Sequence, residues 1–549
     1  MPARRAEAPK RGEDFLPKTV TVLREGYGLG ALRADALAGL TVAIVALPLS
    51  MAIAIASGVG PERGLFTAIV GGFLVSALGG SRFQIGGPAG AFIVLVSACV
   101  MQTGISGLIL ATFLSGFMLI ALGLLRMGSY IRFIPYPVTV GFTAGIGVII
   151  FASQIKDLLG LTLPGAEPGE IIEKVQVLWE VKASFTPAAL AVALATIAII
   201  EAIKRFAPRL PSLLIGVVVA TVAAWALALP VETIGSRFGD LPRVLPVPAL
   251  PDLSAEAIRA ALPWAVSFTL LGAIESLLSA MVADGMSGTQ HRSNGELVAQ
   301  GVANIGAALV GGFCVTGTIA RTATNVRAGS RGPVSGMLHA VFVLVFMLVA
   351  APLASFIPLA ALAGVLAIVA WNMIEREEMA ALIRSSRADA MVLIVTFLLV
   401  VFRDLSEGII VGFALGGLVF IRRMSEATQL EAHPHHADET FTIPSDVVVY
   451  RLRGAVFFGA AATLGSVLDR IAQRPRAFVV DFSEVPFVDS TGARMMLTLA
   501  QKMERRGGRL YVTGTTAELR RALHAQGLHD PLARFLPDVA TALKMATQG

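Results

Sequence analysis

Apolar runs long enough to cross a bilayer recur along most of this chain, from about Ala36 to Phe420. The sequence has 549 residues, of which 55% are hydrophobic and only 15% are charged, and this excludes a soluble enzyme of ordinary composition. A span needs about 20 apolar residues, and in lipid every backbone polar group needs an internal partner. The sequence therefore predicts an α-helical polytopic membrane protein.

Hydropathy predicts fourteen spans, and an even number of spans places both termini on one side of the membrane. The turns on that side are rich in arginine, whereas the long opposite loops mix acidic with basic residues. The positive-inside rule therefore predicts cytoplasmic termini, and we expect no cleavable signal peptide. The predicted spans are 36–57, 63–80, 84–102, 106–125, 134–154, 187–204, 211–229, 261–284, 295–312, 313–329, 333–351, 355–373, 388–403 and 405–423.

Two spans open with a Gly-rich break and continue as helices too short to cross the bilayer. One break lies at 83–90 in the third span, and the other at 313–321 in the tenth. Fourteen spans divide into seven plus seven, so the second half enters the membrane from the opposite face. The third span of each half then faces the other, as in an inverted repeat, and such paired breaks mark a transporter substrate site.

Each break starts a helix whose first N–H groups are unpaired, and two such ends at mid-membrane form an anion site. We expect Pro88 in the first helical turn of the earlier break. Gln84 and Thr318 are expected to add side-chain hydrogen bonds. The alternative is that the glycines only pack helices together. The predicted backbone donors are Ala89, Gly90, Ala91, Thr318, Ile319 and Ala320.

Two ionisable residues inside the spans are candidates for function, because charge in a membrane segment is costly. Arg321 in the second short helix would strengthen an anion site, or else it would snorkel or pair structurally with Glu275. Burial would favour the protonated form of Glu275, and Arg321 would oppose this until an anion bound, so proton and anion binding would be coupled. Ser279 lies one helical turn further along, on the same face.

The first span adds weaker candidates. Pro48 interrupts its helix, so that Leu49, Ser50 and Ile53 could face the cavity. Both cysteines, Cys99 and Cys314, lie in membrane segments and are interpreted as small apolar residues.

After Arg423 the chain changes character. Residues 426–440 form a polar linker whose histidines are interpreted as an exposed linker rather than a metal site. Beyond it, β-rich runs alternate with helical patterns, including a helix at about 460–473, and this predicts a small α/β domain over 441–549. Ser490 is expected to be the N-cap of one helix, and a phosphorylation switch there is a second possibility.

Several segments resemble the SulP anion permeases, the bacterial relatives of the SLC26 exchangers. The resemblance covers about 35–425, and its most specific parts are 84–88, 275–278, 282–289 and 320–329. The segment Asp-Ser-Thr-Gly at 489–492 is similar to a STAS domain, the usual C-terminal partner in this family.

This resemblance implies a core and a gate domain, alternating access by an elevator-like motion, and commonly a homodimer. It implies an anion between the third and tenth spans, near Leu49 and Ile53, and coupling at Glu275. Sodium-coupled bicarbonate members carry Asp at the Glu275 position, Thr at the Ser279 position and a hydroxyl at the Ile319 position. The residues here therefore favour protons. Ser490 matches the serine that is phosphorylated in anti-sigma-factor antagonists.

Together these inferences predict four segments: a cytoplasmic N-terminal segment at 1–34, a transporter domain at 35–425, the linker and the STAS domain. We expect a secondary active transporter of small anions (sulfate-type or C4-dicarboxylate) that works by proton symport in a bacterial inner membrane. The alternatives are a sodium-coupled bicarbonate transporter, an uncoupled channel and a STAS-centred signalling protein. We expect no enzymatic activity, cofactor, metal or nucleic-acid partner, whereas cytoplasmic regulators of the STAS domain remain open.

Overall fold

The structure is a computed structural model and describes residues 14–131, 135–164, 168, 171–208, 210–403, 405–432, 446–458 and 476–548. It divides into two compact units, Met1–Phe413 and Ala414–Gly549. Eight of the described helices are long and apolar enough to cross a bilayer. The predicted helix at 460–473 lies outside the described residues, as does most of the predicted linker.

The first half of the membrane unit begins with a short helix and continues through the first seven predicted spans. A π-helical turn, Thr67–Gly71, joins α3 to α4, and a 3₁₀ turn, Gly90–Phe92, precedes α5. The helices are α1 (Lys18–Arg24), α2 (Leu29–Ala56), α3 (Pro61–Phe66), α4 (Gly72–Leu78), α5 (Ile93–Leu124), α6 (Gly128–Ile131), α7 (Tyr136–Leu159), α8 (Ile171–Glu180), α9 (Pro187–Phe206), α10 (Ser212–Ala226) and α11 (Ile234–Phe238).

The second half of the membrane unit starts with the helix that carries Glu275. In the first half, a second 3₁₀ turn, Lys182–Ser184, directly precedes α9. The helices of the second half are α12 (Ala255–Ser287), α13 (Ser293–Leu309), α14 (Ile319–Arg327), α15 (Val334–Ala354), α16 (Leu359–Met373), α17 (Arg376–Ser385), α18 (Arg387–Phe402) and α19 (Leu405–Glu426).

The third and fourth predicted spans, 84–102 and 106–125, run almost without interruption through α5. Gly104 separates them, because its φ of 70° and ψ of −176° are not helical. Glycine tolerates this positive φ at little steric cost, so the chain can change direction there without a longer turn. The helical part of the third span therefore runs from Gly90 to about Thr103.

The membrane helices pack as two bundles, and each bundle takes helices from both halves of the chain. In the core bundle, defined as α2–α5 and α12–α15, α5 packs on α12 and α13, and α2 packs on α15. In the gate bundle, defined as α7, α9, α10, α16 and α18, α7 packs on α16 and α18. This pairing of matching helices is the architecture that the inverted repeat predicts.

Small residues allow the core helices to approach closely. A Cβ atom on Gly116 of α5 would lie 2.7 Å from the carbonyl oxygen of Gly301 on α13. Helix association in lipid depends on such close backbone contacts, because the bilayer provides no hydrophobic driving force between apolar helices. Glycine at this position therefore fixes the spacing of α5 and α13.

The second unit is a small α/β domain. Its five-stranded sheet has the order β3 (Gln429–Ala432), β4 (Val447–Arg453), β5 (Ala477–Glu484), β6 (Arg509–Thr513) and β7 (Ala533–Leu536). Strand β3 is antiparallel to β4, and the other neighbours are parallel. The helices that cover the sheet are α20 (Ser490–Arg505), α21 (Ala517–Ala525) and α22 (Val539–Gln548).

The N-cap of α20 is Asp489, so the prediction of Ser490 as the cap is wrong. An Asp489 carboxylate oxygen accepts the backbone N–H of Gly492 at 2.7 Å, and the other accepts that of Phe458 at 3.0 Å. Ser490 is the first helical residue and is exposed. Both residue types cap helices well, and the carboxylate additionally favours the positive end of the helix dipole.

Candidate anion site

The two Gly-rich breaks pair with each other in the interior of the core bundle. Strand β1 (Gly86–Gly87) and strand β2 (Thr316–Gly317) are antiparallel, with Gly86 opposite Gly317 and Gly87 opposite Thr316. All four residues are buried, and the pairing satisfies backbone N–H and C=O groups that would otherwise lack partners in the interior of the bundle. It also brings the starts of the two following helices, at Gly90 and Ile319, to the same region.

The second break ends in the N-terminus of α14, but with a different set of donors from that predicted. The backbone N–H of Thr318 donates to Ile85 O at 2.9 Å, and the Thr318 hydroxyl donates to the same oxygen at 3.1 Å. The first helical bond runs from Thr322 N–H to Thr318 O. The N–H groups ahead of that bond are those of Ile319, Ala320 and Arg321. Thr318 is the N-cap residue, and its own N–H is engaged by Ile85 O rather than free to bind an anion.

The first break also starts its helix later than predicted. Ala89 is extended, with φ −118° and ψ 146°, and the first helical bond runs from Phe92 N–H to Ala89 O at 3.1 Å. Pro88 therefore lies before the helix, because β1 extends to Gly87 and the chain needs extended residues to turn from the strand. The N–H groups of Gly90 and Ala91 precede the first helical bond.

Arg321 is a buried cation that contacts the first break. Its side chain is 1% exposed, and Nη2 donates to the Ser50 hydroxyl at 3.1 Å and to Pro88 O at 3.4 Å. Nε and Nη1 have no hydrogen-bond partner among the described residues, and no carboxylate there lies within 4.0 Å. A buried charge without a counter-ion is costly, so the interior around Arg321 favours an anion.

Glu275 is buried in α12 but does not pair with Arg321. Its side chain is 5% exposed, and it makes no hydrogen bond or ion pair in the part of the chain that the structure describes. The structural Glu275–Arg321 pair that we considered is therefore not formed. The Glu275 carboxyl group is thus buried in the membrane unit without a charged partner among the described residues.

Hydroxyl groups of α12 next to Glu275 hold the second break in place. The Ser279 hydroxyl donates to Thr322 Oγ1 at 3.0 Å, and that oxygen also accepts the backbone N–H of Ile85 at 3.1 Å. Ser276 Oγ accepts the backbone N–H of Gly317 at 3.2 Å and lies 3.0 Å from Thr316 Oγ1. The helix that carries Glu275 is thus hydrogen-bonded directly to the second break, and it is linked to the first break through Thr322.

The other predicted site residues are buried nearby. Leu49 and Ile53 in α2 are 7% and 2% exposed. Gln84 lies against Gly317, and neither of its amide atoms has a partner among the described residues. A Cβ atom on Gly90 would lie 3.0 Å from Ile150 Cδ1 of the gate bundle, so this end of the first half-helix faces the gate.

Sequence reasoning missed two residues that organise this region, Ser276 and Thr322, and it did not predict that Ser50 contacts Arg321. Ser50 follows the Pro48 break of α2 and binds Arg321. Thr322 lies four residues after Thr318, on the same face of α14, and links α12 to the first break. The polar character of residues beside Glu275 and Arg321 was the available signal, since hydroxyl groups buried in a membrane need partners.

Comparisons with known proteins agree with this architecture. Residues 32–396 match the model of the Sulfate permease family, and residues 440–542 match the STAS domain. A Bacillus subtilis (strain 168) protein named "Putative sulfate transporter YvdB" is 40% identical over 518 residues, covering 93% of this chain and 96% of that protein. The bicarbonate transporter BicA of Picosynechococcus is 30% identical, covering 94% and 95%.

Solved structures share the fold. The murine anion transporter Slc26a9 in its inward-facing state aligns with a TM-score of 0.87 at 19% identity, covering 100% of this chain and 97% of that one. The transmembrane domain of a cyanobacterial BicA aligns with a TM-score of 0.63 at 32% identity, covering 70% and 98%.

Fold, paired half-helices and buried cation together define a polytopic membrane protein that transports anions and is not an enzyme. The chain belongs to the sulfate permease family (SulP/SLC26), and its C-terminal region is a STAS domain.

Proposed function

We propose that this protein is a proton-coupled secondary active transporter of small oxyanions of the sulfate type, working by an elevator-like movement of the core bundle against the gate bundle. The bacterial inner membrane, cytoplasmic termini, a homodimer and regulation through the STAS domain belong to the same proposal. The similarity to relatives with sulfate-transporter names supports the substrate class.

The observation that carries the proposal is the environment of Arg321. Two helix ends, at Gly90–Ala91 and Ile319–Ala320, supply unpaired N–H groups, and Arg321 adds a full positive charge with no carboxylate within 4.0 Å among the described residues. Donors of this kind bind tetrahedral or planar oxyanions through charge-assisted hydrogen bonds. The anion would then be the counter-ion that Arg321 lacks.

Coupling is assigned to Glu275. In this proposal the positive charge of Arg321 disfavours proton binding at Glu275 while the site is empty, and a bound anion removes that opposition, so the proton and the anion bind together. A hard cation would need several oxygen ligands around it. The nearest hydroxyl in the predicted coupling set, Ser279, is instead hydrogen-bonded to Thr322. This arrangement favours a proton over sodium.

A sodium-coupled bicarbonate transporter is the second candidate. It is favoured by the similarity to BicA, at 30% identity over nearly the whole chain and 32% over the transmembrane domain. Against it stand the coupling residues, Glu275 with Ser279, and the aliphatic side chain of Ile319 at the start of α14. C4-dicarboxylates remain a further substrate class that the same donors would accept.

The test is uptake by the purified protein in proteoliposomes. Labelled sulfate, bicarbonate and succinate would be offered with an imposed pH gradient, an imposed sodium gradient or neither. We expect saturable, uphill sulfate uptake driven by an inward proton gradient. Uphill bicarbonate uptake driven by sodium would select the second candidate, and non-saturable flux independent of both gradients would indicate a channel.

The STAS domain is proposed to regulate this transport rather than carry the function. A chain truncated before 440 should therefore retain uptake in proteoliposomes. Loss of uptake in a truncated chain that remains folded would favour the signalling alternative.

A further inference from the structure

A groove of about 590 Å³ lies between the two bundles, on the side of α2 away from the anion site. The core bundle contributes residues of α2 and α15, and the gate bundle contributes one face of α10. Among the residues that line it, only Thr221 and Trp225 carry polar side-chain atoms, and none is charged. The Thr221 hydroxyl already donates to Val217 O within its own helix, at 2.7 Å.

The groove opens towards the bilayer. Three of its lining residues, Val222, Trp225 and Leu353, are 56%, 70% and 69% exposed. Leu353 lies on α15, which is long and apolar enough to cross the membrane, and Val222 and Trp225 lie on the shorter apolar helix α10 beside it. The medium outside these residues is therefore hydrocarbon. Water does not stably occupy an apolar space that offers it no hydrogen-bond partners. A polar solute would likewise lose its hydration without compensation.

We propose that this groove binds one acyl chain of a membrane phospholipid, and that the bound chain fills the space between the core and gate bundles. The groove is lined by apolar side chains that meet the hydrocarbon of the bilayer. Its two longest walls, formed by α10 and α15, run along the axes of these helices. On α2 and α15 the lining residues lie in the C-terminal halves of the helices, at 47–51 and 346–354, and the orientation proposed above places those halves in the outer leaflet.

The groove is connected to the anion site through α2. Pro48 and Met51 form part of its wall, whereas Leu49 and Ile53 point to the opposite face of the helix at 100° per residue. Pro48 also lacks a backbone N–H, so one helical bond of α2 is missing at this level. A chain pressing on Pro48 and Met51 would therefore bias the segment that carries Ser50, the partner of Arg321. This consequence rests on the proposed function, but the binding of the chain does not.

The test compares two substitutions of neighbouring residues on α15. Ala350 lines the groove, and Ala350→Phe would fill it. Val349 is 75% exposed and does not line the groove, so Val349→Phe adds the same ring to the lipid-facing surface. Each full-length protein would be delipidated in detergent, and native mass spectrometry would measure phosphatidylglycerol retained per protomer during titration with that lipid.

We expect wild type and Val349→Phe to retain one tightly bound phosphatidylglycerol, and Ala350→Phe to bind it about ten-fold more weakly, because losing two methylene contacts has roughly that effect. Equal retention by all three proteins would overturn the proposal. So would retention of a protein dimer in place of lipid, lost only in Ala350→Phe, since the groove would then be a subunit contact.

A second measurement needs no groove-filling variant, and it tests the proposal even if Ala350→Phe does not fold. Wild-type protein reconstituted with phosphatidylglycerol brominated on its acyl chain would be diluted into excess unbrominated lipid. Quenching of Trp225 should persist longer than that of Trp371, which is exposed but lies outside the groove. Each signal would be isolated by Trp→Phe substitution of the other three tryptophans. Equal decay of the two signals would contradict a bound chain, and this result would leave transport untouched.

Discussion

Nη2 of Arg321 lies 3.1 Å from the hydroxyl oxygen of Ser50, and this bond links α14 to α2 across the first break. The same nitrogen contacts Pro88 O at 3.4 Å. Arg321 therefore holds three elements together: the first membrane helix, the first break and the second half-helix. A side chain that fixes these elements also fixes the two helix ends relative to each other, so Arg321 has a positioning role in addition to its charge.

Ser50→Ala should weaken anion binding without unfolding the protein. A hydrogen bond to a charged group contributes about 1.5 kcal/mol, so the KM for sulfate should rise about ten-fold while kcat changes less. Ser50→Thr keeps the hydroxyl and should restore most of the affinity. The matched control is Ser57→Ala at the C-cap of the same helix, whose hydroxyl donates to Ile53 O at 2.7 Å and to no other described residue. An unchanged KM in Ser50→Ala would show that the bond does not orient Arg321.

Arg321→Ala should weaken anion binding about ten- to a hundred-fold in a protein that still folds. The substitution removes the positive charge near both helix ends, and this loss should reduce the binding free energy by about 1.5–3 kcal/mol. Arg327→Ala removes an exposed arginine from the last turn of the same helix and serves as the control. Binding would be measured by sulfate-dependent thermal stabilisation, and a wild-type shift in Arg321→Ala would exclude its role.

Glu275→Gln should uncouple transport from the proton gradient. Gln keeps the shape and the hydrogen-bonding capacity of the side chain but cannot release or bind a proton. Anion exchange should persist, because the helix ends and Arg321 remain, whereas uphill uptake driven by protons should be lost. Glu256→Gln, in the exposed first turn of the same helix, should leave both activities unchanged.

The same experiment separates coupling from a structural role. Because Glu275 makes no ion pair in the described part of the chain, Glu275→Gln should not lower the melting temperature. A mutant that is stable and still concentrates sulfate with protons would remove Glu275 from the coupling mechanism. Severe destabilisation would instead point to an interaction that stabilises the ionised carboxylate.

Asp489→Ala should destabilise the start of α20 by about 1–2 kcal/mol, because it removes the acceptor for the N–H groups of Gly492 and Phe458. Ser490→Ala should change stability by less than about 0.5 kcal/mol, as expected for an exposed surface residue. Hydrogen exchange in the intact chain, followed for peptides that cover 487–500, would measure both. Faster exchange in Ser490→Ala than in Asp489→Ala would reverse the assignment of the cap.

The position of Ser490 also allows its proposed regulatory role to be tested by substitution. A negative charge in the first turn of α20 is favoured by the helix dipole, so Ser490→Glu should leave the domain folded. If Ser490 is a phosphorylation switch, this variant should alter sulfate uptake while Ser490→Ala behaves as wild type. Equal uptake in all three proteins would leave Ser490 with no regulatory role.

The sequence by itself determined the features that follow from composition and period. The long apolar runs required membrane helices, because only helices satisfy their backbone groups in lipid. The two Gly-rich breaks at 83–90 and 313–321 indicated where the chain departs from regular helix within the membrane. Their matching places in the two halves predicted that they would face each other. The alternation of β-rich and helical runs after 441 was enough to predict an α/β domain, since each pattern is local.

Only the tertiary structure decided which atoms remain free at the breaks. The pairing of Gly86 with Gly317 engages the N–H of Thr318 through Ile85 and moves the first helix start past Pro88 to Gly90. Whether Glu275 pairs with Arg321 likewise depends on the distance between two residues that are far apart in sequence. Whether Asp489 or Ser490 caps α20 depends on the local geometry, because the two residues are adjacent and both residue types are good N-caps. A donor is free only when no neighbour in space accepts its hydrogen, and those neighbours are set by the packing of helices that the sequence does not order in space.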